Sequence, residues 1–338
     1  MILKSIKSKL LHLIRKTVNG PLEAKIHAGE ERIYDLQLIQ GRIACWKTRS
    51  RGKIQSLQDV EFKVLSQWGE DGIIDWLIER AAIPAHLHTF VEFGVESYRE
   101  ANTRFLLENR NWRGLVMDGD PALADNLKRD PLFWRYDLTA KSAFITRENV
   151  NDLIAASGFT GEVGLLSIDV DGNDYWIWEA ISVIQPVICV CEYNAVFGDL
   201  HAISVPYDPE FMCSRSHFSH LYFGASIAAL CSLAARKGYR FLGTTSAAND
   251  AFFIREDYAE PFDSALMANV ALASRNRSSR DRTGQLTHVG GVDRLKLISD
   301  MPVVKTETGD TVSLAELGSI YSENWLQQIA GVSKMAAD

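Results

Sequence analysis

Short apolar runs alternate along the chain with stretches of helical period, the pattern of a mostly parallel sheet covered by helices. Thr89 to Phe93, Gly114 to Met117, Leu165 to Ile168 and Val187 to Cys191 are nearly continuous in apolar residues, as strands buried on both faces are. Gly72 to Ala82 carries Ile73, Ile74, Trp76, Leu77 and Ile78 at helical spacing and is stopped by Pro84. A helix through Phe105, Leu106 and Leu107, another over Glu148 to Ala156, and one through Tyr175, Trp178, Ala180 and Ile181 follow, the last broken by Pro186. Leu132 to Tyr136 reads as a short third strand ending at Asp137-Leu138. Ala225 to Lys237 is a helix capped by Gly238, and Tyr239 to Gly243 with Ala251 to Ile254 predicts an antiparallel hairpin across Thr244 to Asp250.

The two ends are less regular. Met1 to Lys16 is basic and amphipathic. It suits an anionic membrane surface, the domain's own apolar surface or a second copy in a homo-oligomer, and the pattern alone does not choose. Leu22 to Lys53 fits a helix or a hairpin. Beyond Glu260 the periodicity weakens; Met301 to Val312 suggests strand-turn-strand and Leu314 to Ala330 a helix. The expected organisation is an N-terminal helical extension (1–60), a central α/β domain (61–260) and a C-terminal extension (261–338) that shapes a substrate site or an oligomer contact.

Composition narrows the function. The 338 residues are 46% hydrophobic and 23% charged, ordinary for a soluble globular protein. A net charge of −7 argues against a general nucleic-acid-binding surface. Five cysteines without a CxxC pair fit a reducing compartment, and no membrane-length apolar run or signal-peptide pattern is visible. The expected location is cytoplasmic, with peripheral contact at the inner membrane face as one role for residues 1–16.

The candidate chemistry centres on Leu165 to Asn194. One buried strand ends in Asp169-Val170-Asp171-Gly172-Asn173-Asp174, the next in Glu192-Tyr193-Asn194. If strand geometry persists, Asp169 and Asp171 share a face, as do Glu192 and Asn194. In open α/β sheets that edge is where ligands bind. Either Asp169 or Glu192 is a general base, with His217 as a further base candidate, or Asp169, Asp171, Glu192 and Asn194 together form an oxygen-only site for Mg²⁺ or Mn²⁺. Turn chemistry is the bland alternative, since Asp-Gly is a turn dipeptide. Upstream, Glu92-Phe93-Gly94 ends the first strand without the second and third glycines of a dinucleotide loop, which argues against NAD. Asp118 stands where an acid accepts ribose hydroxyls or serves a turn, and Asp137 either meets an adenine amino group or caps a helix or turn. The basic Arg275 to Arg282 loop suits a phosphate clamp or a plain solvated loop.

The segments SQWGEDGI, FVEFGVES, ANTRFLLENRNWRGLVMDGD, LLSIDVDGNDYWIWEAI, CEYN, YFGAS and NDAFFIRED together resemble class I S-adenosylmethionine-dependent methyltransferases, and more closely the FkbM-type family, over roughly Ser66 to Asp257. The resemblance implies a Rossmann-like, doubly wound, mostly parallel seven-stranded sheet with a C-terminal antiparallel hairpin. It implies S-adenosylmethionine bordered by Gln67, Glu92, Gly94, Asn102 and Asp118, with Asp169 beside the methyl-transfer position. It also implies an acceptor hydroxyl on a small molecule, with a sugar or lipid-linked glycan as first choice. Two alternatives on the same sheet are a divalent-metal-dependent hydrolase or lyase using the acidic strand ends, and a catalytically silent binding module.

Overall fold

The computed structural model describes residues 20–274 and 279–335. Its strands are β1 Thr89–Phe93, β2 Arg113–Asp118, β3 Leu138–Ser142, β4 Gly161–Ile168, β5 Ile184–Glu192, β6 Ile203–Ser204, β7 Tyr239–Thr244, β8 Asp250–Arg255, β9 Pro302–Lys305 and β10 Thr311–Ser313. Seven of them form one sheet in the order β3-β2-β1-β4-β5-β8-β7. The first five run parallel, and β8 is antiparallel to both β5 and β7. This is the expected Rossmann-like sheet with its closing hairpin. The chain winds outward from β1 to β3 and then returns to β4 on the other side of β1. The crevice outside the carboxyl ends of β1 and β4 is therefore the topological switch point, where such sheets bind ligands.

The main helices are α1 Gly20–Arg49, α2 Glu70–Ala81, α3 Arg104–Arg110, α4 Leu123–Arg129, α5 Val150–Ala155, α6 Asp174–Ala180, α7 Ile227–Lys237 and α8 Glu323–Met335. Alternate strand residues feed two cores. Val91, Phe93, Leu166, Ile168, Cys189 and Cys191 pack against α5, α6 and α7 through Ile154, Trp178 and Leu233. Phe90, Val116, Leu165, Ile188 and Val190 pack against α2 and α3 through Ile73, Leu77 and Leu106. Burial on both faces is why these strands read as continuous apolar runs.

Several local readings differ from the structure. Leu132–Arg135 is a helical turn, opened by Pro131 with the Asp130 carboxylate accepting the Leu132 N–H at 2.9 Å. The strand starts only at Leu138, so Asp137 sits at its amino end. Pro186 breaks no helix: α6 stops at Ala180, and Pro186 lies inside β5, ahead of Ile188 where pairing with β8 begins. Leu314 to Ala330 is not one helix. A short 3₁₀ turn, Leu314–Leu317, closed by a Ser313/Glu316 capping box, precedes α8.

Leu22 to Lys53 resolves mostly into the single helix α1. Only part of it rests on the domain, where Tyr34, Leu38 and Cys45 meet Val64, Leu65 and Phe105. Leu22, Ile26, Ile33, Leu36, Ile39, Ile43 and Trp46 stay exposed. The Met1 to Lys16 segment lies outside the described residues. The C-terminal part folds back on the central domain: β9 pairs with β10 and with β6 of the long β5–α7 connection. No helix among the described residues is long and apolar enough to cross a membrane.

Candidate functional site

The register aligns the strand ends. Phe93 stands beside Met117 and Ile168, Ile168 beside Cys191, Asp118 beside Ser142, and Glu192 beside Asp250 at the start of antiparallel β8. The next residues along this edge form a nearly continuous row of acids. They open onto a cavity of about 740 Å³. Glu92, Glu96, Glu100, Asp118, Asp120, Asp169, Asp171, Glu192 and Asp250 line it, and among the described residues no Lys or Arg does. Phe144 and Ile145, just past β3, supply an apolar wall, and Phe211, Met212 and His220 come from the long β5–α7 connection.

Each acid is held differently. Glu92, only 4% exposed, accepts the Asn102 N–H at 2.8 Å and the Thr103 N–H at 3.1 Å, as well as the Thr103 hydroxyl. Burial outweighs these donors and pushes its carboxyl up to about 7. Glu92 therefore orders the β1–α3 loop. Asn102 extends the network, its amide donating to Ser167 at 3.1 Å and to Asp250 at 3.4 Å. Asp118 ties two loops together: Oδ2 accepts the Glu96 N–H and Oδ1 the Asp120 N–H, both at 2.7 Å. Each oxygen keeps a further lone pair for a ligand. Gly94 lines the cavity, but its open φ of 76° serves the neighbouring strand, because a Cβ there would lie 1.4 Å from the Asp169 carbonyl oxygen.

β4 stops at Ile168, so strand alternation does not bring Asp169 and Asp171 together. A turn does. The Asp174 carboxylate accepts the Val170 N–H at 2.7 Å and the Gly172 N–H at 2.9 Å. Asp171 adopts a left-handed φ of 56°. Asp169, Asp171 and Glu192 can then each present an oxygen within 4.8 Å of the others. Burial, reinforced by the neighbouring acids, raises the Asp169, Glu192 and Asp250 carboxyls well above the usual range and lifts Asp174 to about 6.

Gln67 lines the cavity from an exposed loop, and its neighbour Ser66 is buried against Asp71. Three expected site residues lie elsewhere. Asp137 is at the amino end of β3, exposed, 3.7 Å from Arg113. The Asn194 side chain is spent on the backbone: Oδ1 accepts the Val196 N–H, and Nδ2 donates to the Leu221 and Phe223 carbonyls at 2.9 Å. His217 bonds Ser219 at 2.7 Å and does not line the cavity, whereas His220 does. Residues 275–278 of the basic loop lie outside the described residues, and Arg282 stacks over Phe218 at 4.6 Å.

Asp250 and Asn173 join the cavity lining without a local sequence signal. Asp250 starts a hairpin strand, and an antiparallel strand brings its first residue to the edge where its parallel neighbours end. Asn173 is two residues beyond Asp171 in the same acidic turn. A second recess, of about 640 Å³, lies at the opposite edge near Glu162, Lys237 and Arg255. Its charges are committed: Arg255 pairs with Glu162 and Asp257, and Lys237 donates to the Glu179 and Ile181 carbonyls.

No family profile matches the chain, and no curated protein does. Among solved structures, it is similar to an O-methyltransferase family protein from Burkholderia thailandensis (TM-score 0.31, 10% identity, 55% of this chain and 58% of that one). It is also similar to TnmH (0.32, 9%, 55% and 57%) and to the pyocyanin biosynthetic protein PhzM (0.30, 12%, 54% and 56%). The chain thus spans little over half the length of these structures, and likeness at this level carries no argument about activity.

Proposed function

We propose that the chain is an S-adenosylmethionine-dependent O-methyltransferase. The observation that carries this reading is the acidity of the switch-point cavity: nine acids line it and no Lys or Arg among the described lining residues does, while Lys63 reaches Glu100 at 2.8 Å from outside the lining. Such a lining repels nucleotide phosphates and attracts a ligand with cationic groups. The sulfonium and ammonium of S-adenosylmethionine match it. Asp118 is the residue for the ribose hydroxyls, Phe144 and Ile145 for the adenine face, and Gln67 for an amide contact to the ligand's carboxylate. When bound, the cofactor supplies a methyl group on a good leaving sulfur. The chain's own residues must orient an acceptor oxygen and take its proton. Asp169 and Glu192 are the groups for that proton, since they stand at the strand ends in the cavity and burial and mutual repulsion raise their proton affinity. A neutral polyol, such as a sugar or lipid-linked glycan hydroxyl, suits the acidic lining better than an anionic acceptor.

The test is transfer of labelled methyl from S-adenosylmethionine to a panel of neutral glycosides. The reading expects label in product, at least about a hundredfold less with Asp169→Asn, and retained binding of S-adenosylhomocysteine by that variant. A protein that binds neither nucleoside is not this enzyme.

A further inference from the structure

The cavity edge gathers several carboxyl groups at one point. Asp169, Asp171 and Glu192 each offer an oxygen within 4.8 Å of the others, close to the span across a hard cation bound at about 2.0–2.6 Å. An acidic cluster alone proves little, but Asn173 adds a separate observation. It lines the same cavity and is 4% exposed. Its amide nitrogen is anchored to the Asp208 carbonyl at 2.8 Å, while Oδ1 has no hydrogen-bond partner. A buried amide oxygen left without a donor costs free energy unless something outside the protein meets it.

We infer that Asp169, Asp171, Glu192 and the Asn173 Oδ1 form a binding site for a divalent cation of the Mg²⁺ or Mn²⁺ class. The donors are all oxygen, which selects hard ions over zinc or copper. Asp174 is not a ligand; it holds the turn by accepting the Val170 and Gly172 N–H groups. Asn194, with its oxygen committed to Val196, has no part in the site. Asp171 is exposed, giving the ion an entry side and leaving room for water or acceptor hydroxyls in its remaining positions. The assignment does not rest on methyl transfer, because the ion is bound by the chain's own groups without a nucleoside; with the ion bound, Asp169 and Glu192 would act as its ligands rather than as free bases, and the ion would lower the pKa of an acceptor hydroxyl in their place.

The test is calorimetric titration of the full chain with Mn²⁺ alone, free of nucleoside, with Mn²⁺ electron paramagnetic resonance counting bound ions. One ion per chain is expected. Asp171→Asn should weaken binding at least about tenfold, and Asn173→Ala by about threefold or more. Asp171 is exposed, so its loss leaves the fold intact, which circular dichroism verifies. Asp120→Asn, an acid on the same rim outside the cluster, should leave affinity within about twofold, the effect of one screened charge. No stoichiometric binding overturns the inference. So does equal weakening by Asp120→Asn and Asp171→Asn, which would mean diffuse attraction to an acidic rim. Because no nucleoside is present, these outcomes stand apart from success or failure of the methyltransferase reading.

Discussion

Gly94, at the end of β1, lies against the backbone of Asp169, at the end of β4, so closely that a Cβ would stand 1.4 Å from the Asp169 carbonyl oxygen. The Asp169 N–H in turn reaches the Phe93 carbonyl at 3.3 Å. The two strands flanking the switch point are thus clamped at the level where the acidic turn begins. Gly94 thus lines the cavity and at the same time lets the neighbouring strand approach.

Gly94→Ala therefore meets both a left-handed φ of 76° and a backbone collision. Strain and overpacking together should cost about 2–5 kcal/mol. Chemical denaturation would show that loss, and ligand binding should fall with it as Asp169 is displaced.

Asp118→Ala removes the acceptor that holds both the Glu96 and the Asp120 N–H groups. Binding of S-adenosylhomocysteine should weaken by about tenfold or more, with a stability loss of about 1–2 kcal/mol from two released loops. A variant that loses stability but not affinity would remove Asp118 from the nucleoside site.

The Glu92 carboxyl, raised from 4.5 to about 7 by burial, makes stability depend on pH. The folded state holds this proton between about 4.5 and 7 while the unfolded state has released it, so stability rises as pH falls through 7. Above 7 the buried charge opposes folding. The difference amounts to up to about 3 kcal/mol from this group. Thermal unfolding of the ligand-free protein should give a higher midpoint at pH 6 than at pH 8, and Glu92→Gln should flatten that slope.

Asp250 is 3% exposed, and burial beside Glu70 and Asp169 raises its carboxyl well above the usual range. Asp250→Asn removes a buried acid from beside other acids while keeping an oxygen for the Asn102 and Asn249 amides. At pH 8 it should stabilise the ligand-free protein by about 1 kcal/mol while weakening cationic ligands. Denaturation midpoints and ligand titration of the same variant check both signs.

What the sequence revealed follows from how locally each feature is encoded. β1, β2, β4 and β5 are buried on both faces, so their apolar runs mark them directly, and Asp118, Asp169 and Glu192 follow as strand ends. The Asp137 reading failed because an Asp130-Pro131 helical turn displaced the third strand, sending its acid to the opposite edge. Asp171 reaches the cluster through a turn made by Asp174, not through strand alternation. Asn194 looked like a ligand but caps a 3₁₀ turn. Asp250 and Asn173 take their roles from pairing across β5–β8 and from a contact with Asp208, neither visible in a local window. α1 was ambiguous because only part of its length packs on the domain, leaving apolar residues on its exposed side.

Calorimetric titration with S-adenosylmethionine and S-adenosylhomocysteine, on the native chain and on Asp118→Ala, tests the central claim most directly. The acidic cavity predicts saturable one-to-one binding, tighter for the sulfonium than for its neutral product, and lost or strongly weakened in the variant. No heat from either nucleoside with the folded native chain would contradict it.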